Sequence, residues 1–272
     1  MSWSVELAER AAENLEKVRT TKPLIHNITN FVVMNSTANV LLAAGASPVM
    51  AHAENEVEEM AGFAGALVLN IGTLTDTWVN AMVKAGQKAS ELGTPIILDP
   101  VGSGATALRT AAAKRIIAET EVSVIRGNAS EVLSLRDADS KTRGVDALHT
   151  VEDAAEAAGI LAAELGVALA VTGPVDLVTD GKRTLRVENG HELMPWVTGT
   201  GCAATTIIGA FNAVDEDPVL ATATALAYFG LAGEKAGAIS RGPGSFMVNL
   251  LDCLYTITPA DLREGSRLSS SS

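Results

Sequence analysis

The chain has 272 residues, of which 47% are hydrophobic, and this length and composition suit a folded protein with a large core. Its formal charge of −12 at pH 7 repels phosphate backbones, which excludes nucleic-acid binding driven by bulk electrostatics. The N-terminus is charged and amphipathic, and no apolar run is long enough to span a bilayer. We therefore expect a cytoplasmic protein that binds small molecules.

One α/β domain is predicted over residues 1–268, because no stretch rich in Pro, Gly and Ser separates two halves of the chain. The serines at 269–272 are expected to be a frayed tail. The two cysteines, Cys202 and Cys253, show neither a metal-ligand spacing nor a disulfide pattern, which is typical of a reduced compartment.

Short apolar runs alternate with Ala-rich helical patterns, which is typical of parallel strands joined by crossover helices. Each run is continuously apolar, so both faces of the sheet should be covered by helices. After a helix that begins near Val5, the predicted strands are 24–28, 48–50, 66–71, 95–98, 122–125 and 167–171. The segment 176–187 adds two strands around a turn at Asp180 and Gly181, which we expect at an antiparallel edge.

Capping residues mark the predicted helices. Thr75 and Asp76 supply N-cap chemistry for a helix over 78–92, and Gly93 ends it. Thr150 begins another helix, which ends at Gly166. The last third of the chain is predicted to be mostly helical, with helices at 202–214, 218–238 and 246–257.

Polar and glycine residues follow the predicted strands. Ligands of a parallel sheet bind beyond the carboxyl ends of its strands, so this edge should carry the functional site. The segments concerned are 27–30, 50, 70–73, 99–104, 126–131 and 172–173.

The most informative segment is 197–205, which reads V-T-G-T-G-C-A-A-T and leads from a strand-like piece into a long helix. Gly199 and Gly201 permit a turn that would direct several N–H groups, those of Thr200 and Cys202 included, towards one anion. A phosphoryl group with developing negative charge would fit such an anion hole. The alternative is an ordinary Gly-rich helix start.

Two other strand ends carry carboxylates. Asp99 ends one strand before the flexible stretch 100–104, and Glu131 follows the next strand, three residues after Asn128. On a helical turn Asn128 and Glu131 share a face, where they could hold a hydrated magnesium ion near phosphates. The alternatives are structural, with Asp99 capping a turn and the other two residues forming a capping box.

Taken in this order, these segments resemble the ribokinase superfamily, whose Asn-x-x-Glu and Gly-x-Gly-Asp segments correspond to residues 128–131 and 199–202. The sequence departs from that pattern at Cys202, where most of the superfamily has Asp. A cysteine there resembles the hydroxyethylthiazole kinase family, and the resemblance covers residues 23 to about 257. The matching segments are I-H-N-I-T-N at 25–30, G-A-S-P-V-M-A at 45–51, L-N-I-G-T-L at 69–74, I-L-D-P-V-G at 97–102 and G-P-G-S-F at 242–246.

The resemblance implies a ribokinase-like three-layer α/β fold, with a mostly parallel sheet between helices. It implies magnesium- and ATP-dependent phosphorylation of the hydroxyl of 4-methyl-5-(2-hydroxyethyl)thiazole, in thiamine biosynthesis and salvage. Similar enzymes are trimers with sites shared between subunits. The implied roles are substrate binding by Met50, Gly199 and Asn30, ATP binding by Arg126, Thr172 and Asn128, an anion hole at 199–202, magnesium binding by Asp99 and Glu131, and catalysis by Cys202.

Some alternatives stay open on the sequence. Cys202 could act as a base or only orient the hydroxyl. A sugar or nucleoside kinase would carry a β-rich lid, for which the short N-terminal part leaves little room. A dehydratase that repairs hydrated nicotinamide cofactors shares the fold but has Asp at this cysteine's position. A nucleotide-binding module without catalysis is the alternative that is not an enzyme.

Overall fold

The computed structural model of the chain describes residues 3–136 and 151–271. Within these ranges one nine-stranded sheet has the order β2-β1-β3-β4-β5-β6-β7-β8-β9. Pairing is parallel from β2 through β6 and antiparallel from β6 through β9. The strands are β1 (Leu24–Ile28), β2 (Ser47–Val49), β3 (Ala66–Asn70), β4 (Ile96–Asp99), β5 (Val124–Gly127), β6 (Ala168–Val171), β7 (Asp176–Thr179), β8 (Thr184–Val187) and β9 (Leu268–Ser271).

Helices cover both faces of the sheet, and a separate hydrophobic core lies on each face. The helices are α1 (Trp3–Thr21), α2 (Met34–Ala44), α3 (Val57–Ala61), α4 (Asp76–Leu92), α5 (Ala107–Glu119), α6 (Ala129–Leu133), α7 (Val151–Leu165), α8 (Thr200–Asn212), α9 (Pro218–Ile239), α10 (Pro243–Thr256) and α11 (Pro259–Gly265). One core joins α1, α2, α8, α9 and α10 to the sheet, and the other joins α3 to α7.

Strand β1 shows why the apolar runs are continuous. Ile25 packs in one core and Ile28 in the other, and both are fully buried. Burying one such side chain contributes about 1.5–3 kcal/mol relative to leaving it exposed. The three-layer α/β architecture predicted from the sequence is confirmed.

Most predicted elements are present with boundaries shifted by one to three residues. Helix α4 begins directly after Thr75, whose side chain accepts a hydrogen bond from the amide of Trp78, and ends at Gly93, which has a φ of 68°. Gly166 follows α7 with a φ of 68°. The predicted cap at Thr150 lies outside the described residues. No helix in the described ranges is long and apolar enough to cross a membrane.

Two expectations were wrong. Residues 269–271 are not frayed, because they belong to β9, where Ser269 lies opposite Arg186 of β8. A strand ladder is built from main-chain N–H and C=O groups, which serine supplies, and this pairing covers an edge that β8 would otherwise expose. The piece before the glycine segment is also not strand-like, because Met194–Trp196 form a 3₁₀ helix in which Pro195 cannot donate to a sheet.

Candidate active site

A cleft of about 190 Å³ opens at the carboxyl ends of β4 and β5, beside the first turn of α8. Parallel sheets bind ligands at this carboxyl edge. The strand order reverses between β1 and β3, so the cleft lies beside that point and not on it. The cleft brings together most of the predicted site residues. It is lined by Asp99, Val101, Arg126, Asn128, Glu131, Gly199, Gly201 and Cys202.

The start of α8 has the geometry of an anion site. Gly199 has a φ of 82°, and a Cβ atom there would lie 2.5 Å from Val33 Cγ1, so glycine is needed for conformation and for space. The Thr200 hydroxyl donates to main-chain carbonyls of the preceding turn, so it points away from a bound anion. The amides of Gly201 and Cys202 lie in the first helical turn, where N–H groups have no intrahelical acceptor. They can therefore bind an anion.

Arg126, on β5, brings a positive charge against this helix start. Its Nη2 donates to Thr172 Oγ1 at 2.6 Å, and its Nη1 lies 3.9 Å from Asp99 Oδ2. A Cβ atom on Gly201 would lie 2.5 Å from Arg126 Nη1, so the second glycine allows the guanidinium to approach the helix. Thr172 does not line the cleft itself. Arg126 and the first-turn amides of α8 therefore form one surface of donors that could hold an anion.

Asp99 is buried at the end of β4. Its Oδ2 accepts hydrogen bonds from Asn70 Nδ2 and from Thr205 Oγ1, each at 2.8 Å. Its Oδ1 is buried and has no hydrogen-bond partner among the described residues. Burial raises the pKa of Asp99 to about 6, although the charge of Arg126 opposes the shift. A cation in the cleft would supply the partner that this oxygen lacks.

Glu131 forms the capping box that the sequence left as an alternative. Its Oε2 accepts from the amide of Asn128 at 3.0 Å, while Asn128 Oδ1 accepts from the amide of Glu131 at 2.9 Å. Its Oε1 accepts from the amide of Gly102 at 2.8 Å. These bonds fix the carboxylate at the cleft wall and leave further acceptor capacity, since a carboxylate has about four lone-pair sites.

Two carboxylates are too few for a metal ion that is bound by protein ligands alone, but they are enough for magnesium. No group of three or more His, Cys, Asp or Glu side chains in the described residues could hold a metal. Magnesium usually binds through one or two carboxylates, together with substrate phosphates and water. Asp99 and Glu131 line the same cleft as Arg126 and the start of α8, so they would suit that pattern.

Cys202 is partly buried and accepts a hydrogen bond from Asn30 Nδ2 at 3.6 Å. Burial raises the pKa of the Cys202 thiol to about 11, and the charge of Asp99 adds to the shift. A helix N-terminus alone would lower a thiol pKa, but burial and the neighbouring carboxylate outweigh it here. Cys202 is therefore a neutral thiol at neutral pH.

Two residues without a predicted role connect this site. Asn70 donates to Asp99, and its Oδ1 accepts from Asn30 Nδ2 at 2.8 Å, so hydrogen bonds run from the buried carboxylate to Cys202. Thr205 lies one turn into α8 and holds the same carboxylate. Asn70 ends β3 and lies in the segment 70–73 that the strand-end rule selects, but no role is predicted for it from the sequence. Thr205 ends the segment 197–205, where nothing in the sequence indicated a contact with Asp99.

Four predicted site residues do not line the cleft: Met50, Asn30, Thr172 and Thr200. Asn30 and Thr172 are joined to it by hydrogen bonds to Cys202 and Arg126, whereas Met50 lies apart from it. Met50 follows β2, the first strand in the sheet order, and is only partly buried. Two histidines hold its loop, with His26 Nε2 donating to Ala51 O at 2.8 Å and His52 Nδ1 donating to Met50 O at 3.2 Å. A contact between Met50 and a ligand in this cleft is not supported within one chain.

Known proteins resemble this chain over nearly its full length. The model of the "Hydroxyethylthiazole kinase family" matches residues 15–260. A hydroxyethylthiazole kinase of Desulfotalea psychrophila is 67% identical over 262 residues, which is 96% of both chains. The structure of a hydroxyethylthiazole kinase protein from Pyrococcus horikoshii has a TM-score of 0.89 and 48% identity, over 96% of this chain and 99% of that chain. A ribokinase-like superfamily protein from Enterococcus faecalis, 12% identical, has a TM-score of 0.65 over 95% and 96% of the two chains and is similar in fold alone.

Proposed function

Because the chain belongs to the hydroxyethylthiazole kinase family, we propose that it transfers a phosphoryl group from ATP to the hydroxyl of 4-methyl-5-(2-hydroxyethyl)thiazole in thiamine biosynthesis and salvage. The observation that carries this proposal is the composition of the cleft. Arg126, the free amides of α8, the unpartnered Asp99 oxygen and the Cys202 thiol meet there. The guanidinium and the amides suit the charge of a transferring phosphoryl group, the Asp99 oxygen suits a cation, and the thiol could orient an acceptor hydroxyl.

ATP binding is assigned to the positive wall of the cleft. Arg126 and the first-turn amides of α8 would hold phosphate oxygens, with Thr172 fixing the guanidinium and Asn128 at the rim. These groups face the position where charge develops during transfer, so they stabilise the transition state more than the free substrates.

Asp99 and Glu131 would hold magnesium, which when bound neutralises phosphate charge and orients the nucleotide. Asp99 is held by Asn70 and Thr205, and Glu131 by two main-chain amides. These bonds hold both carboxylates in place before a nucleotide binds, and such preorganisation favours catalysis.

The acceptor hydroxyl is assigned to the space beside Cys202 and Gly199, with Asn30 behind the sulfur. Phosphoryl transfer passes through a loose transition state in which proton removal matters little. A neutral thiol that orients the hydroxyl is therefore sufficient. We assign Cys202 as the residue that orients the acceptor.

We further propose a homotrimer in which a neighbouring subunit completes the site. Met50 lies outside the cleft of its own chain, and Phe31 and Val32, next to Asn30, are 63% and 64% exposed. Large apolar side chains exposed beside a site mark an interaction surface. Light scattering is expected to give a mass close to three chains, with activity lost on dilution to monomers. A fully active monomer would contradict this assignment.

The function is tested by ADP release in a coupled assay. We expect turnover that requires both magnesium and the thiazole alcohol. Equal turnover with ribose or a nucleoside would make the protein a sugar or nucleoside kinase. ATP hydrolysis driven by hydrated nicotinamide cofactors would indicate the dehydratase, and nucleotide binding without any turnover would indicate a binding module.

We also propose a cytoplasmic location, from the state of the cysteines and the nature of the substrates. Cys202 and Cys253 are both free thiols in the structure, which is typical of reducing compartments. Both substrates are small and polar, and the family's reaction uses ATP.

A further inference from the structure

Arg109, in the first turn of α5, joins two loops at the edge of the cleft. Its Nη1 donates to the carbonyl oxygens of Ile71 at 3.1 Å and Val101 at 2.7 Å, and its Nη2 donates to that of Gly72 at 2.8 Å. The first and third of these carbonyls follow β3, and the second follows β4. One guanidinium therefore holds together the loops behind Asn70 and Asp99.

Two of the three carbonyls belong to peptide units whose N–H groups hold site side chains. The carbonyl of Val101 and the N–H of Gly102 form one planar peptide unit, and this N–H donates to Glu131 Oε1 at 2.8 Å. The carbonyl of Ile71 and the N–H of Gly72 form a second planar peptide unit, and this N–H donates to Asn70 Oδ1 at 3.0 Å. Because each unit is rigid, a hydrogen bond to its carbonyl also fixes the direction of its N–H.

The direction of Asn70 matters for the whole site. A main-chain N–H can only donate, so the amide atom of Asn70 that faces it must be the oxygen. Nδ2 is then the atom that faces Asp99, as a donor to the carboxylate. Fixing the peptide unit at 71–72 therefore also directs a donor at Asp99 Oδ2, and Oδ1 has no partner among the described residues.

The position of Arg109 argues against a role in helix stability. A cation in the first turn of a helix opposes the helix dipole, which disfavours it by about 0.3–1 kcal/mol. Gly102 has a φ of 74°, and a Cβ atom there would lie 3.0 Å from Arg109 Cδ, so the loop is shaped to let this side chain pass. Arg109 thus goes against the charge preference of a helix N-terminus, yet the neighbouring loop has a glycine where the side chain passes. A residue that violates a local preference in this way is expected to have a role in the site.

We propose that Arg109 is a positioning residue for phosphoryl transfer, which fixes the two peptide units that aim Glu131 and Asn70. This inference rests on the proposed function, in which Asp99 and Glu131 hold magnesium. Groups that orient metal ligands from behind typically change affinity or activity by about 10–100-fold when removed. Arg109 acts on both carboxylates, so its effect should appear on the magnesium–ATP side of the reaction.

The test compares two arginines of the same helix. Arg109→Met keeps about the length of the aliphatic part of the side chain but removes the guanidinium and its three hydrogen bonds. We expect kcat/KM for magnesium–ATP to fall by about 10–100-fold, while KM for the thiazole alcohol stays within about threefold. Arg115→Met is the matched control, because Arg115 is exposed and its described hydrogen bonds, to Glu119 and Asn80, lie at the surface. It should stay within about twofold of the parent enzyme.

A second readout needs no turnover. Calorimetric ATP binding without the alcohol should be tightened by magnesium in the parent protein, and this gain should fall by about tenfold or more in Arg109→Met. Arg109→Lys should recover only part of the magnesium gain. Its ammonium can still donate to a carbonyl, but it lacks the planar fork that spans separated carbonyls. An unchanged magnesium gain in Arg109→Met, or equal losses in the Arg115→Met control, would overturn the assignment. A parent enzyme inactive towards the alcohol would reject the proposed function instead, while the binding comparison still tests Arg109.

Discussion

Asp99→Asn is expected to lower kcat by about 10³-fold while leaving the fold as stable as before or more stable. The substitution removes the charge that the proposed mechanism uses at the metal site, but it preserves shape. The Asn carbonyl oxygen can replace Oδ2 as the acceptor for Asn70 and Thr205. Its amide can occupy the position of Oδ1, which has no partner in the part of the chain that the structure describes. The hydrogen-bond network therefore survives.

The stability expectation follows from the sign of the pKa shift. The pKa of Asp99 is raised in the folded protein to about 6, so the folded state binds this proton more tightly than the unfolded state. Its contribution to stability is present below the unfolded value and is lost as pH rises through about 6. At pH 7 the buried, ionised carboxylate therefore lowers the stability of the fold, and Asp99→Asn removes this destabilisation.

Thermal unfolding and steady-state kinetics on the same preparations check this expectation. The parent kcat/KM should fall as pH decreases through about 6, and the residual activity of Asp99→Asn should lack that step. Glu131→Gln provides the contrast, because one of its two amide contacts would face an NH₂ group and the cap would weaken. It should lose activity and stability together. An Asp99→Asn enzyme with parental turnover would exclude the assigned metal role.

Much of the site was predictable because strand ends can be read locally. A continuous apolar run that stops at a polar residue places Asp99 and Arg126 at the carboxyl edge of the sheet, and the pair Gly199 and Gly201 marks the helix start. Gly199 is required for the reason that the sequence suggests, since its φ is positive. Gly201 is required for a reason that only the structure shows, because it makes room for the Arg126 guanidinium.

The connections between those elements were not predictable. Thr205 reaches Asp99 across 106 positions of sequence, and this contact depends on how α8 crosses the sheet. Arg109 looks like a surface arginine of an amphipathic helix until its carbonyl partners are known. The serine tail was misjudged for a similar reason, since its partner strand β8 lies more than eighty residues earlier.

The pKa of Cys202 was likewise not predictable from the sequence. The sequence reveals a helix start, which lowers a thiol pKa, but burial and the charge of Asp99 depend on tertiary structure and reverse the shift. With a pKa of about 11, the thiolate fraction at pH 7 is only about one in ten thousand. A base present in so small a fraction would make turnover strongly dependent on pH.

The second large effect is therefore expected in the pH profile of Cys202 variants. If the thiol only orients the hydroxyl, parental kcat should be flat from pH 7 to 9. Cys202→Ala should then lower kcat by about 10²-fold or less, because the anion hole is intact. Cys202→Ser, which keeps a small polar group, should retain more activity than Cys202→Ala.

Cys202→Asp separates orientation from base strength. A carboxylate there can accept the hydrogen bond that Asn30 gives to the sulfur, so the local geometry is kept, and it is ionised at neutral pH where the thiol is not. We expect this variant to retain or raise turnover, with a fall at low pH as the new carboxylate is protonated. A parental kcat that rises about tenfold per pH unit towards pH 9, and a loss of that rise in Cys202→Ala, would show that the thiolate is the base. A folded but inactive Cys202→Asp enzyme would instead show that the size and neutrality of the thiol hold the acceptor, because negative charge beside Asp99 would then repel the incoming phosphoryl group.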